Sequence, residues 1–291
     1  MVSQLLDRYP KASFLIAVSR LDKPIGIYLL LWPTLWALWI AAEGFPGWHL
    51  LGVFVLGTVL TRSAGCVIND VADRNFDGQV ERTVGRPLVT GELKVEEALM
   101  FMGALLTGAL VLVLTTNWLT ILLAFFAALV AGLYPFMKRY TYLPQVVLGV
   151  AFSFGIPMSF AAVNNDIPQI AWLLVTANVL WTVAYDTEYA MVDREDDLKV
   201  GIKSTAILFG DMDKMIIAML QLIFVGILLI LPRHIPLDWM FYAGVVTGGL
   251  LLTYQQHLIR NRSREGCFKA FQHNHWVGLA IFIGILSSYG F

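Results

Sequence analysis

The sequence predicts an all-α integral membrane protein with nine transmembrane helices, on three observations. The first is composition: 58% of the 291 residues are hydrophobic and 14% are charged, against roughly 25% charged in soluble domains. Mean hydropathy is +0.69. The second is run length, since the apolar residues fall into stretches of the about 17–25 residues that cross a bilayer as helix. The third is where the charges lie. The net charge of −1 is uninformative, but the lysines and arginines are not scattered.

The elements follow in order. Residues 1–23 read as an interfacial amphipathic helix, with Leu5, Leu6, Phe14, Leu15, Ile16 and Val18 beside basic residues. The spans are expected at about 24–41, 48–68, 98–115, 118–137, 143–163, 170–190, 215–231, 239–256 and 275–290. With the N-terminus in the cytoplasm and the spans alternating, nineteen of the twenty Lys and Arg residues fall on the cytoplasmic side, and only Arg233 falls outside. That bias is the positive-inside pattern. No cleavable signal is expected, because the first apolar run has span length. Cys66 and Cys267 lie toward the reducing side, so neither a disulfide nor a zinc site is expected. With no linker or low-complexity stretch, residues 1–291 form a single domain.

The outer connections are short. Two longer cytoplasmic connections, about 69–97 and 186–214, carry most of the acid and resemble one another some 120 residues apart, as in a duplicated unit. In the first, Asn69, Asp73 and Asp77 share one helical face, with Asp70 one row over. In the second, Asp193 and Asp197 repeat the i, i+4 relation, and Asp196 is an alternative ligand. Like charges at that spacing destabilise a helix unless neutralised. Mg²⁺ would neutralise them, since it takes one or two carboxylates together with substrate phosphates. Two such faces opposed at the rim would hold two Mg²⁺ ions and a diphosphate. A run of solvated loop acids is the bland alternative, disfavoured by two helically phased clusters at span ends on one side.

Basic residues interleave with the acids: Arg74, Arg82, Arg86, Lys199 and Lys203, with Lys138 and Arg139 ending the fourth span. Arg86, Lys138 and Arg139 are the best candidates to stabilise a departing diphosphate. Two charges lie deeper. Arg62 precedes Asn69 by seven residues and Asp73 by eleven; Asp186 stands in the same relation to Asp193 and Asp197. Each therefore projects below its acid cluster. A charge there costs about 2.5–3.5 kcal/mol on insertion scales, and such residues are usually functional and paired. A structural Arg62–Asp186 ion pair is the plainer reading.

Asn69-Asp70-x-x-Asp73-x-x-x-Asp77 resembles the first signature of the UbiA superfamily of intramembrane prenyltransferases, and Asp193-x-x-x-Asp197 its second. DKPIGIYLLLWPTLWALW from Asp22, GCVINDVADRNFDG from Gly65, YPFMKRYTYLPQVVLG from Tyr134 and AYDTEYAMVDREDD from Ala184 extend the resemblance along the chain. It implies nine helices around a central cavity, with cytoplasmic helical loops over the site. It implies Mg²⁺-dependent transfer from a polyprenyl diphosphate to 4-hydroxybenzoate, ortho to the hydroxyl, in ubiquinone biosynthesis at the bacterial inner membrane. Asn69, Asp73, Asp77, Asp193 and Asp197 would hold the metals, Arg86 and Lys138 the diphosphate, and Arg62 the acceptor, with Asp186 orienting Arg62 or taking the ring proton. The lipid bilayer is the other partner, and no nucleic acid is expected. A naphthoate or haem acceptor remains open. A transporter reading leaves the two acid clusters unexplained, and the signature of a phosphatidyl-alcohol transferase is not found.

Overall fold

A computed structural model describes residues 10–79 and 81–290. Leu5, Leu6 and Arg8 of the expected amphipathic start lie outside the described residues. The helices are α1 (Pro10–Val18), α2 (Ile25–Ala41), α3 (Trp48–Asp77), α4 (Pro87–Thr90), α5 (Val95–Val113), α6 (Trp118–Tyr140), α7 (Pro144–Ser153) and α8 (Gly155–Asn164). They continue as α9 (Gln169–Val200), α10 (Thr205–Phe209), α11 (Asp213–Ile230), α12 (Trp239–Leu258) and α13 (Arg264–Ser288). No strand occurs among the described residues.

Six segments among the described residues are long and apolar enough to cross a membrane: 48–75, 95–113, 118–140, 144–164, 169–200 and 205–233. The 17-residue α2 is apolar but shorter. Their side chains support a multi-pass membrane protein. On α5, α6 and α11, Leu110, Val111, Phe125, Leu129 and Leu222 are exposed, surface that lipid tolerates and water does not.

Three departures from the sequence reading matter. First, α3 and α9 run unbroken for 30 and 32 residues, so the acid clusters ride the last turns of long helices rather than separate loops. Second, the expected span at 143–163 breaks at Phe154. Pro157 has no N–H to offer the carbonyl of Ser153, and the break brings Gly155 so close to α2 that a Cβ there would lie 2.2 Å from Oγ1 of Thr34. Third, α1 turns its apolar residues to the protein: Phe14, Leu15 and Val18 pack with Val67, Val71, Leu93 and Ala98.

The core is aromatic where α2, α9 and α11 meet. Trp36 and Trp181 stack at 5.4 Å, and Trp181 and Phe224 at 5.5 Å with planes 11° apart. Both indoles are buried and find acceptors on α13, Trp36 at the Gly278 carbonyl (3.0 Å) and Trp181 at Oδ1 of Asn274 (2.8 Å). Ion pairs gather at one end of the bundle, where α3 and α9 finish and α2, α5 and α13 begin. Among the described residues, Arg233 is the one Lys or Arg at the other end.

Candidate active site

The charged end is built by α3 and α9 side by side, with the 78–86 connection folded across them. Asp70, Asp73 and Asp77 are buried at the end of α3, and Asp193 near the end of α9. Each meets a cation from elsewhere in the chain. Arg20, just beyond α1, grips both oxygens of Asp70 at 3.0 and 2.9 Å. One Nη of Arg86 spans Asp70 at 2.8 Å and Asp77 at 2.6 Å. Lys138, in the last turn of α6, pairs with Asp73, while Arg139 donates to the Ala72 carbonyl at 2.7 Å. Arg82 makes a forked contact with Asp193, Nη2 to Oδ2 at 2.6 Å and Nε to Oδ1 at 3.1 Å. Its guanidinium also lies 4.8 Å from the Tyr189 ring. Burial works against charge on Arg82, but Tyr189 and Asp193 outweigh it and hold the guanidinium above its ordinary value.

Several atoms at the centre have no partner. Asp73 Oδ1 is buried without a hydrogen bond. Asn69 and Asp197 are half-buried, and neither side chain makes a hydrogen bond or ion pair among the described residues. Asp197 lies within electrostatic reach of Asp193, Lys138 and Arg82. Asp196 is different, taken by Arg264 at 2.8 Å and Lys199 at 3.3 Å. Below this rim the expected Arg62–Asp186 ion pair is not formed within 4.0 Å, though Asp186 stays within electrostatic reach of Arg62. Arg62 instead lies 5.4 Å from the Phe152 ring centre, with its Nε buried and bonded to nothing.

The structure thus brings Arg62, Asn69, Asp70, Asp73, Asp77, Arg86, Lys138, Arg139, Asp186, Asp193 and Asp197 to one end of the bundle. Cavities of about 490 Å³, bordered by Lys23, Arg82 and Asp193, and about 240 Å³, bordered by Lys138, Arg139 and Ile202, open beside the acids. No three acidic, His or Cys side chains among the described residues close into a metal cage. The donors nonetheless suit Mg²⁺. They are all oxygen, Asp73 carries an idle buried one, and this ion completes its shell from water and phosphate.

Sequence reasoning did not find Arg20, whose partner lies 50 residues away, and it ranked Arg82 below Arg86. It also passed over Glu188. That carboxyl is fully buried, bonded to Asn274 at 3.0 Å and Gln221 at 3.4 Å, and only its place in the helix packing distinguishes it.

Comparison with known proteins decides the family. The sequence matches the UbiA prenyltransferase family over residues 30–279. The chain belongs to that family. A protein of Saccharophagus degradans named 4-hydroxybenzoate octaprenyltransferase is 60% identical over 92% of this chain and 90% of its own. A Pseudomonas aeruginosa protein of the same name is 54% identical over 99% and 98%. The UbiA homologue of Aeropyrum pernix, solved in its apo form, superposes with a TM-score of 0.79 at 21% identity, covering 89% of this chain and 97% of that one. The UbiA homologue of Archaeoglobus fulgidus, bound to GPP and Mg²⁺, gives 0.69 at 18% identity over 94% and 99%. These two likenesses establish the UbiA fold for this chain.

Proposed function

We propose that this chain transfers a polyprenyl group from polyprenyl diphosphate to the carbon ortho to the hydroxyl of 4-hydroxybenzoate, a step of ubiquinone biosynthesis. The observation that carries the acceptor is Arg62. A half-buried guanidinium with a sealed and idle Nε, two turns below a rim of acids, suits a small aromatic carboxylate better than a neutral ring. The names of the bacterial relatives support the same substrate pair and point to an octaprenyl tail.

Asn69, Asp73, Asp77, Asp193 and Asp197 would hold Mg²⁺, with Asp70 bracing Arg20 and Arg86 beside them. The bound cations would neutralise the diphosphate and stabilise the charge it gains on leaving. Arg86, Lys138 and Arg139 bind and orient that diphosphate, and release from carboxylate partners frees Arg86 and Lys138 to do so. Arg62 aligns the acceptor by its carboxylate. The bond from the allylic carbon to the diphosphate oxygen breaks, its electron pair leaving with the diphosphate, and the electron-rich ring carbon then bonds to the allylic cation that remains. The displaced ring proton then passes to a base. Asp186 fits that role, since it is close enough to feel Arg62 yet not tied up by it. Phe152, whose ring centre lies 5.4 Å from the Arg62 guanidinium carbon, lines the acceptor's side and keeps water from the cation.

The nine helices from α2 to α13, with α7 and α8 counted as one span and α1, α4 and α10 set aside, are read as nine crossings of a bacterial inner membrane. The basic end, and with it the active site and the N-terminus, faces the cytoplasm by the positive-inside bias. Detergent-solubilised protein supplied with octaprenyl diphosphate, Mg²⁺ and ring-labelled 4-hydroxybenzoate should yield labelled, extractable prenylated acceptor. Prenylation of a hydroxynaphthoate with none of 4-hydroxybenzoate would overturn the acceptor assignment.

A further inference from the structure

Arg62 reaches across from α3 and lies against the first turn of α2, and what it meets there is a residue without a side chain. A Cβ built on Gly26 would stand 2.6 Å from Nε, 2.7 Å from one Nη and 3.0 Å from Cζ of Arg62. No side chain but hydrogen fits. Phe152 is on hand too, its ring centre 5.4 Å from the guanidinium carbon. Nε is sealed from solvent and makes no hydrogen bond, so its position is set by packing alone. The conformation of Gly26 does not explain the glycine, because it sits within a helix and has no positive φ. Helix propensity argues the other way, since alanine is the better helix former.

We infer that Gly26 is a positioning residue for acceptor binding: its bare Cα is the platform on which the Arg62 guanidinium is set to receive the acceptor's carboxylate. This rests on the proposed role of Arg62. The physical signature is specific. The atoms in the way of a Gly26 methyl are the far end of a flexible side chain, so the guanidinium can swing aside while the backbone stays. The fold then loses little, but the paired hydrogen bonds to a carboxylate lose their alignment. Glycine here is needed for ligand geometry rather than for the helix.

The test is a double-mutant cycle read by steady-state kinetics, with each substrate varied in turn and acceptor binding followed by equilibrium dialysis of labelled 4-hydroxybenzoate where turnover is slow. Gly26→Ala should raise the acceptor KM about tenfold, leave the prenyl diphosphate KM within about twofold, and keep the thermal midpoint of the parent. It should also narrow the preference for 4-hydroxybenzoate over phenol, which has no carboxylate to align. In an Arg62→Ala background, where the methyl has room, Gly26→Ala should add nothing. If Gly26→Ala alone misfolds and the double variant does not, the clash is still with Arg62 and the platform stands. An unchanged acceptor KM in Gly26→Ala beside a raised one in Arg62→Lys overturns the platform and leaves the acceptor reading intact. If Arg62→Lys itself leaves the acceptor unaffected, the acceptor reading falls and the platform with it. An equal loss from Gly26→Ala with and without the Arg62 side chain would show that the glycine acts on something else, and would end the proposal.

Discussion

Arg62 carries a positive charge inside the helix bundle with no carboxylate within 4.0 Å among the described residues and one nitrogen sealed from solvent. A buried charge without a partner is costly, by several kcal/mol in general, and is retained where a ligand completes it. Charge-assisted hydrogen bonds contribute about 1.5–3 kcal/mol each. Arg62→Lys keeps the charge but loses the planar fork, so at 1.4 kcal/mol per decade the acceptor KM should rise about tenfold or more. The prenyl diphosphate KM should barely move, because the diphosphate is read by Arg86 and Lys138 at the rim above. Kinetics with each substrate varied separately decide this. An effect confined to prenyl diphosphate would make Arg62 a diphosphate ligand instead.

At the scale of elements, α3 and α9 are long helices that end in acid, and their partners determine which acids are available. Asp73 has an idle oxygen and, among the described residues, the Asp197 side chain has no hydrogen bond or ion pair; Asp193 is forked by Arg82 alone, whereas Asp196 is shared by Arg264 and Lys199. Asp73→Asn and Asp193→Asn should each abolish transfer while the protein stays folded by size-exclusion chromatography, and chelation should do so reversibly. Asp196→Asn should keep most of the activity. Loss as complete as in Asp193→Asn would return Asp196 to the ligand set. A second element-level prediction concerns α12 and α13, which cross on glycine. A Cβ at Gly244 would lie 2.7 Å from the Ala280 carbonyl oxygen and 3.0 Å from the Gly284 Cα. Those are backbone atoms that cannot swing aside, unlike Arg62. Overpacking of this kind costs about 1–3 kcal/mol. Gly244→Leu should therefore lower the thermal midpoint in detergent by several degrees, and an unchanged midpoint would show that the two helices separate freely.

For the whole molecule, the separation of charge from one end of the bundle to the other predicts its orientation. Both native cysteines are buried, so background labelling should be low. Single cysteines at Gly78 and Asn261, which are exposed at the basic end, should react with an impermeant maleimide only when the cytoplasmic face is accessible. One at the exposed Asp166 should react from the opposite face. Reversed labelling would move the active site to the other side of the membrane and end the positive-inside argument.

The sequence by itself determined what lies along single helices. Apolar run length located the helices, and the spacing of Arg62, Asn69 and Asp73, or of Asp186, Asp193 and Asp197, stacked each set on one face, because 3.6 residues per turn is a local property. The span expected at 143–163 stands as 144–164, and only its internal break at Phe154, before Pro157, is invisible to hydropathy. Tertiary structure alone decided what each face meets. Arg20 reaches Asp70, Arg82 reaches Asp193 and Gly26 lies under Arg62 only through packing between helices, which no spacing encodes. Arg62 and Asp186 appeared in sequence as natural partners, and packing instead laid the guanidinium against Gly26 and Phe152, so that the two form no ion pair with one another. The physical reason is range: helical phase is fixed by neighbours within a turn or two, whereas a contact across the bundle depends on the position of every helix in it.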